Sequence, residues 1–142
     1  YLDVAVDVTK QDFLEVVRER TDRRGVNAIV DLVGGDYLRG NVHALAGLGR
    51  IALIGLVAGR SASLDMDALL SKRATIVGTA MRSRPLAEKI AVAADFSRDV
   101  RPLLASVAIA PVIDRVLPMA SVVEAHRVVE ANQNVGKVIL AW

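Results

Sequence analysis

Three short segments carry the residues whose types and spacing could support chemistry, and each segment follows a run of apolar residues. If those runs are parallel strands, the segments lie together at one edge of a sheet, outside the carboxyl ends, where α/β proteins bind ligands. Glycine after a strand lets a backbone approach a ligand closely, although the same glycines also serve plain turns. We predict a ligand crevice formed by Asp31-Leu32-Val33-Gly34-Gly35, Gly55-Leu56-Val57-Ala58-Gly59 and Thr79-Ala80-Met81-Arg82-Ser83.

Asp31 is the acidic residue closest to this predicted ligand edge. A carboxylate directly after a strand can accept hydrogen bonds from the following turn, or it can take part in acid–base chemistry. The position favours a cap on the turn over a proton-transfer role.

Two motifs resemble known signatures but stand in the wrong context. Gly47-Leu48-Gly49-Arg50-Ile51-Ala52 matches G-x-G-x-x-A, yet it follows a predicted helix and opens a predicted strand, the reverse of the dinucleotide fingerprint. Gly59-Arg60-Ser61-Ala62-Ser63 is close to a G-x-S-x-G nucleophile elbow, but it lacks the final glycine and the strand–turn–helix setting. We interpret the first as a connecting turn and discount serine hydrolysis for the second.

Few residues in the sequence could support metal or thiol chemistry. The sequence has no cysteine, which excludes disulfides, cysteine-ligated zinc and thiol catalysis for this stretch. His43 and His126 each fall within a predicted helix, without a second histidine or paired carboxylate at metal-ligand spacing on the same face. We predict no metal site, and we interpret His126 as an exposed, salt-linked histidine.

The elements that position the three segments are read from hydrophobic spacing. Strand-like runs alternate with segments of helical spacing, which indicates parallel βαβ units, and the near-continuous apolar strands predict a sheet covered on both faces. A helix cap is expected at Thr9, and a capping box at Ser121-Val122-Val123-Glu124. The predicted strands are residues 4–8, 26–32, 51–54, 74–79, 112–117 and 137–141, and the predicted helices follow Thr9 or cover residues 38–45, 66–72, 83–96, 97–107 and 121–132.

The predicted fold class is therefore α/β, a partial doubly wound, Rossmann-like parallel sheet with a C-terminal strand–helix–strand tail. Residues 1–107 would form the sheet, and residues 108–142 the tail. The N-terminus lacks a start methionine and a signal pattern, which suggests a cut from a longer chain.

Composition excludes some partners. The chain is 53% hydrophobic, but no apolar run approaches the roughly 20 residues that span a bilayer, so no membrane partner is expected. A net charge of +2 is too small to imply nucleic-acid binding. Lack of cysteine is compatible with a cytoplasmic protein. The cluster of Arg18, Arg20, Arg23 and Arg24 is interpreted as a solvated helix end, with a phosphate-binding patch as the alternative.

Taken in order, these motifs resemble a known family over nearly the whole chain. Residues 25–37, 49–55 and 75–84 resemble the fourth, fifth and sixth Rossmann strands of zeta-crystallin-like quinone oxidoreductases, in the medium-chain dehydrogenase/reductase superfamily. Residues 124–126, 130–132 and 135–140 resemble their C-terminal helix and closing strand. No single piece is diagnostic, but the ordered set is specific.

The resemblance implies a GroES-like catalytic domain beside a Rossmann domain, with NADPH in the cleft between them. Hydride would pass from NADPH to quinones or other α,β-unsaturated carbonyls, without catalytic zinc and without a catalytic acid or nucleophile among these residues. The resemblance also implies that Leu32 follows the strand that faces the adenosine side, and that Asn134, before the closing strand, would reach the cofactor from the tail. Gly55, Leu56 and Val57 would lie along the nicotinamide ribose and ring, and the nicotinamide end would be lined by Thr79, Ala80 and Met81.

The resemblance also implies that parts of the cofactor site and the catalytic domain lie outside this sequence. The first two Rossmann strands, the glycine-rich turn and the catalytic domain would precede Tyr1, so the isolated segment is expected to be inactive. Val8 stands where the family often has tyrosine. A homodimer is expected through the edge strand that begins at Ala74 and ends at Thr79, because this apolar strand would be a poor free edge.

Two other functional interpretations stay open. One is another enzyme of the superfamily, such as an enoyl reductase or a zinc alcohol dehydrogenase, although Gly34-Gly35-Asp36-Tyr37 and Arg82-Ser83-Arg84 favour the quinone branch. The other is a non-enzymatic α/β interaction module.

Overall fold

A computed structural model describes residues 2–142 as an α/β protein with two parallel sheets, which confirms the predicted fold class. The chain forms two compact units, which meet in sequence at Ser83 and Arg84. The sequence predicted a different boundary, after residue 107, where the tail would return to a catalytic domain. That boundary stays a prediction.

The first unit alternates helices and strands. Its elements are α1 (Phe13–Arg20), β1 (Val26–Asp31), α2 (Tyr37–Ala44), β2 (Leu45–Leu53), α3 (Met66–Lys72) and β3 (Thr75–Gly78). The second unit contains α4 (Leu86–Asp99), α5 (Arg101–Ala105), β4 (Ile113–Pro118), a 3-10 turn (Met119–Ser121), α6 (Val122–Glu130) and β5 (Lys137–Ala141). None of the helices that the structure describes is long and apolar enough to cross a membrane.

The predicted strand at residues 4–8 is wrong, as is the predicted cap at Thr9. Residues 4–8 pair with no strand among residues 2–142. The backbone N–H and the hydroxyl of Thr9 both donate to Asp7 Oδ1, at 3.0 and 2.6 Å, and a local turn replaces extended backbone. Since Thr9 is engaged in that turn, the cap falls to Asp12, whose Oδ1 accepts from Leu14 N at 2.8 Å.

The three-stranded sheet has the order β1-β2-β3, with all strands parallel. Ile29, Ile51 and Ile76 are register partners and share the face on which the core forms. Ile51 is fully buried against Val42 of α2 and Leu45 at the start of β2. Burial of these branched side chains is the main stabilising contribution to this unit.

The opposite face of the sheet differs from the prediction. Val30 and Val77 lie on either side of Ala52 in the register, and their exposed fractions are 66% and 52%. The expectation of a sheet covered on both faces is therefore wrong for the described residues. The apolar strands predicted that both faces of the sheet are buried, but the strand sequences do not show which helix would cover each face.

Gly47-Leu48-Gly49 lies inside β2 as an irregularity, not before it as a connecting turn. Val26 pairs with Leu45, whereas Ala28 pairs with Arg50, so the extra residues of β2 are looped out there. Leu48 takes a φ of 63° within this loop. The segment opens no helix, which agrees with its rejection as a dinucleotide fingerprint.

The second unit confirms the predicted strand–helix–strand tail. β4 and β5 pair in parallel, and Ala125 and Val128 are the buried residues of α6. The predicted capping box is wrong, because Ser121 makes no side-chain capping bond. Its φ of −92° and ψ of 21° belong to the end of the 3-10 turn, and they differ from the extended backbone that a capping serine needs.

Candidate functional site

The carboxyl ends of β1, β2 and β3 lie side by side, and we call the turns that follow them, residues 32–35, 54–59 and 79–83, the strand-end rim. In the register Asp31 pairs with Leu53, and Leu53 pairs with Gly78. The turns are joined by backbone hydrogen bonds: Ile54 N donates to Asp31 O at 2.7 Å, and Thr79 N donates to Leu53 O at 3.0 Å. The predicted arrangement of the three turns along one edge is confirmed.

Asp31 fixes the first turn of the rim. Its side chain is buried, and Oδ1 accepts from the backbone N–H groups of Val33 at 2.8 Å and Gly34 at 2.9 Å. Oδ2 accepts from Nδ2 of Asn41, another buried side chain, at 2.9 Å. Both oxygens therefore face the protein, which confirms the interpretation of Asp31 as a turn cap.

Glycine allows the first and second turns to pack backbone against backbone. A Cβ on Gly55 would lie 2.3 Å from the carbonyl oxygen of Leu32, so no other residue fits there without separating the turns. Gly34 adopts a φ of 65° and forms an isolated parallel bridge with Gly59. Here the requirement for glycine comes from close approach and left-handed backbone.

A cleft of about 460 Å³ opens between the second and third turns. Its walls are mostly apolar, with the hydroxyl-bearing residues Thr79 and Ser83 at one side, and no carboxylate, amine or imidazole side chain lines it. An apolar cleft with a few polar groups is the usual form of a small-molecule site. The lining residues are Leu53, Ile54, Gly55, Leu56, Gly78, Thr79, Ala80 and Ser83.

Four of the predicted site residues line this cleft together: Gly55, Leu56, Thr79 and Ala80. The remaining rim residues, Leu32, Val57 and Met81, lie on the rim outside the lining, with exposed fractions of 58%, 88% and 50%.

Asn134 belongs to the second unit, where its Nδ2 donates to Gly136 O at 2.7 Å. The loop around it is held by Asp114, whose Oδ1 accepts from Val135 N at 3.0 Å. That hydrogen bond, followed by one from the Arg115 side chain, lowers the pKa of Asp114. Asn134 thus has a structural role in the turn before β5, and its predicted cofactor contact stays a prediction.

Sequence reasoning missed three lining residues, Leu53, Ile54 and Gly78. The first two were assigned to the interior of a strand, because an apolar run does not show where pairing ends. Gly78 carried a usable signal, since glycine at the end of an apolar strand leaves space: a Cβ there would meet nothing within 4 Å. Ser83 was part of the predicted crevice, although it was not among the residues predicted to contact the cofactor.

Comparison with known proteins identifies the family. The family model described as zinc-binding dehydrogenase matches residues 2–140. The chain belongs to this family. Quinone oxidoreductase-like protein 2 of Bos taurus is 32% identical over 74 residues, which is 52% of this chain and 21% of that protein. The highly reducing polyketide synthase PKS6 of Gibberella zeae is 30% identical over 131 residues, 90% of this chain and 5% of that protein.

Solved structures share the fold. An NAD-dependent alcohol dehydrogenase superposes with a TM-score of 0.74 at 26% identity, over 99% of this chain and 38% of that one. A quinone oxidoreductase of Pseudomonas syringae pv. Tomato DC3000 gives 0.78 at 20% identity, over 96% of this chain and 42% of that one. The chain spans about a fifth of the length of the quinone oxidoreductase-like relatives.

The family's description names zinc, but the donors present here do not fit a zinc site. The sequence has no cysteine, and residues 2–142 contain no group of three histidine or acidic side chains placed to hold a metal ion. His43 Nε2 instead pairs with Asp65 Oδ2 at 3.0 Å. His126 is exposed as predicted, but it forms no ion pair with the described residues, so the predicted salt link is wrong.

Proposed function

We propose that this chain forms the nicotinamide side of the cofactor site in an NADPH-dependent oxidoreductase that reduces a quinone-like acceptor. The observation that carries the proposal is the strand-end rim with its apolar cleft. In a dinucleotide-binding sheet of order 3-2-1-4-5-6, the last three strands are neighbours in chain order, as β1, β2 and β3 are. Ligands in such sheets bind at the carboxyl ends, beside the fourth strand.

The lining of the cleft suits a flat, uncharged ring with a polar edge. Leu53, Ile54 and Leu56 supply apolar walls, and the hydroxyl-bearing Thr79 and Ser83 supply polarity at one side. When bound, NADPH supplies the hydride, and the acceptor takes that hydride together with a proton from solvent. The described residues would contribute position and exclusion of water, because none of the lining side chains is an acid or base.

A second acceptor class is favoured by a separate observation. Similarity to the polyketide synthase of Gibberella zeae covers 90% of the chain, compared with 52% for the bovine quinone oxidoreductase-like protein. Reduction of an α,β-unsaturated thioester is therefore the second candidate. Side-by-side assays of NADPH oxidation, with a quinone and with a crotonyl thioester, separate the two.

We further propose a cytoplasmic homodimer formed through the outer edge of β3. β3 is an edge strand among the described residues, and its residues 75–78 carry no charged side chain. An apolar edge strand without charged side chains can pair with a strand of another chain.

In light scattering, the protein should have twice the monomer mass, and the Val77→Lys variant should be monomeric. A monomeric wild type at high concentration would contradict this proposal.

Ala80→Phe tests the cofactor site, because Ala80 lines the cleft and a phenyl group would occupy it. We expect the Kd for NADPH, measured by fluorescence titration of the protein at its natural full length, to rise about tenfold or more. Ala62→Phe is the matched control, since Ala62 is exposed in the loop beyond the rim. Equal affinities of the two variants would show that the nucleotide binds elsewhere.

A further inference from the structure

A second cleft lies at the opposite end of the sheet from the rim, where β1 and β2 begin and α1 and α2 end. Its volume is about 410 Å³, and Gly25 and Gly47 form part of its wall. Among residues 2–142, five basic residues and no acidic residue line it: Arg18, Arg23, Arg24, His43 and Lys72. We call it the basic cleft.

The negative C-terminal ends of the two helices, α1 and α2, offset part of this positive charge. A helix C-terminus carries roughly half a negative charge, so two ends offset about one cation. Lys72 Nζ meets the end of α2, donating to the carbonyl oxygens of Val42 at 3.0 Å and His43 at 2.6 Å. Arg24 Nε meets the end of α1 through Thr21 O at 3.1 Å.

Carboxylates outside the cleft offset another part of the positive charge. Glu15 pairs with Arg18 at 2.5 Å, Asp65 pairs with His43 at 3.0 Å, and Asp22 approaches Arg24 only at 3.7 Å. None of these acids lines the cleft.

Two of the cations, Arg23 and Lys72, have no carboxylate partner among the described residues. Arg23 forms no ion pair with any residue that the structure describes, and its backbone is fixed at a φ of 63°. Lys72 faces the like charge of Arg18, and burial together with Arg18 lowers the pKa of Lys72. An anion in the cleft would relieve the repulsion between Lys72 and Arg18 and would give Arg23 a counter-charge.

We propose that the basic cleft binds a small polyvalent oxyanion of the phosphoryl class, either free or as part of a small phosphate ester. The planar guanidinium of Arg23 offers the paired N–H donors that suit such a group. Arg18 and Lys72 would contribute charge, although the N–H groups of Lys72 are already directed at carbonyl oxygens, including that of Leu45 at 2.5 Å. The small volume and the acidic residues around the cleft favour a small anion over a nucleic acid.

The test is calorimetric titration of the protein with inorganic pyrophosphate, repeated with NADPH at saturation. The wild type should bind saturably and with unchanged affinity when NADPH is present, because the rim lies at the other end of the sheet. Arg23→Gln should weaken binding about tenfold, by loss of a charge-assisted contact, and Arg23→Lys should recover part of it.

Arg20→Gln is the matched control, because Arg20 is also exposed and does not line the cleft, and the substitution removes the same charge. Its effect should stay within about twofold, the size expected for general screening. Parallel titrations with inorganic phosphate and phenyl phosphate distinguish a free anion from an ester as the natural ligand. Absence of saturable binding, equal losses in the Arg23 and Arg20 variants, or displacement by NADPH would overturn the proposal.

Discussion

Replacing Asp31 with alanine is expected to lower the free energy of unfolding by about 3 to 5 kcal/mol, because three hydrogen-bond donors in a buried setting lose their acceptor. The donors are the backbone N–H groups of Val33 and Gly34 and the side-chain amide of Asn41. The backbone carbonyl of Asp31 also accepts from Ile54 N, so a disturbed first turn would displace the second. Urea unfolding of the wild type and variant measures the loss.

Asp36→Ala is the matched control for this prediction. Asp36 lies in the same connection and precedes α2, but its side chain makes no capping hydrogen bond. Removing it should cost less than about 1 kcal/mol, which is the usual contribution of an acid near a helix N-terminus. If the two alanine variants were equally stable, Asp31 would not be the residue that holds the rim.

Replacing Gly55 with alanine is expected to cost at least about 3 kcal/mol and to abolish measurable cofactor binding, because added volume at a close backbone contact forces the chain to move. A Cβ would lie 2.3 Å from Leu32 O and 3.0 Å from the Leu32 carbonyl carbon. Both obstacles are backbone atoms, so no side-chain rotation can relieve the overlap. The first and second turns must separate, and the cleft loses one wall.

Gly47→Ala provides the comparison, because a Cβ there would meet nothing within 4 Å. Its stability should change by less than about 1 kcal/mol and could rise slightly, since alanine restricts the unfolded chain more than glycine does. Thermal unfolding and NADPH titration of both variants measure the two effects. A Gly55→Ala protein with normal stability and affinity would contradict the close packing of the turns.

The sequence predicted the part of the fold that depends on local pattern and on chain order. The apolar runs ending near Asp31, Leu53 and Gly78 are strands, and their parallel pairing brings the three turns to one edge. What failed depended on partners that are distant in the chain. Residues 4–8 have the composition of a strand, but a strand needs a neighbour, and Asp7 with Thr9 forms a local turn instead.

The site was predicted at the level of its turns and less well at the level of its lining. The pattern of glycine after a strand predicted Gly55 correctly, because two backbones can approach closely only where the residue has no side chain. Leu53 and Ile54 carried no such signature, since apolar residues serve a strand interior and a cleft wall equally. Arg23 was assigned to a solvated cluster, because sequence spacing does not show that three of the four arginines line one cleft.

The most direct test of the account is hydrogen–deuterium exchange of the protein with and without saturating NADPH. We predict slower exchange in peptides covering the three turns of the rim, residues 32–35, 54–59 and 79–83, and little change at residues 18–25, which contribute to the basic cleft. Unchanged exchange at the rim, or protection confined to the opposite end of the sheet, would contradict the assignment of these turns to a nicotinamide cofactor.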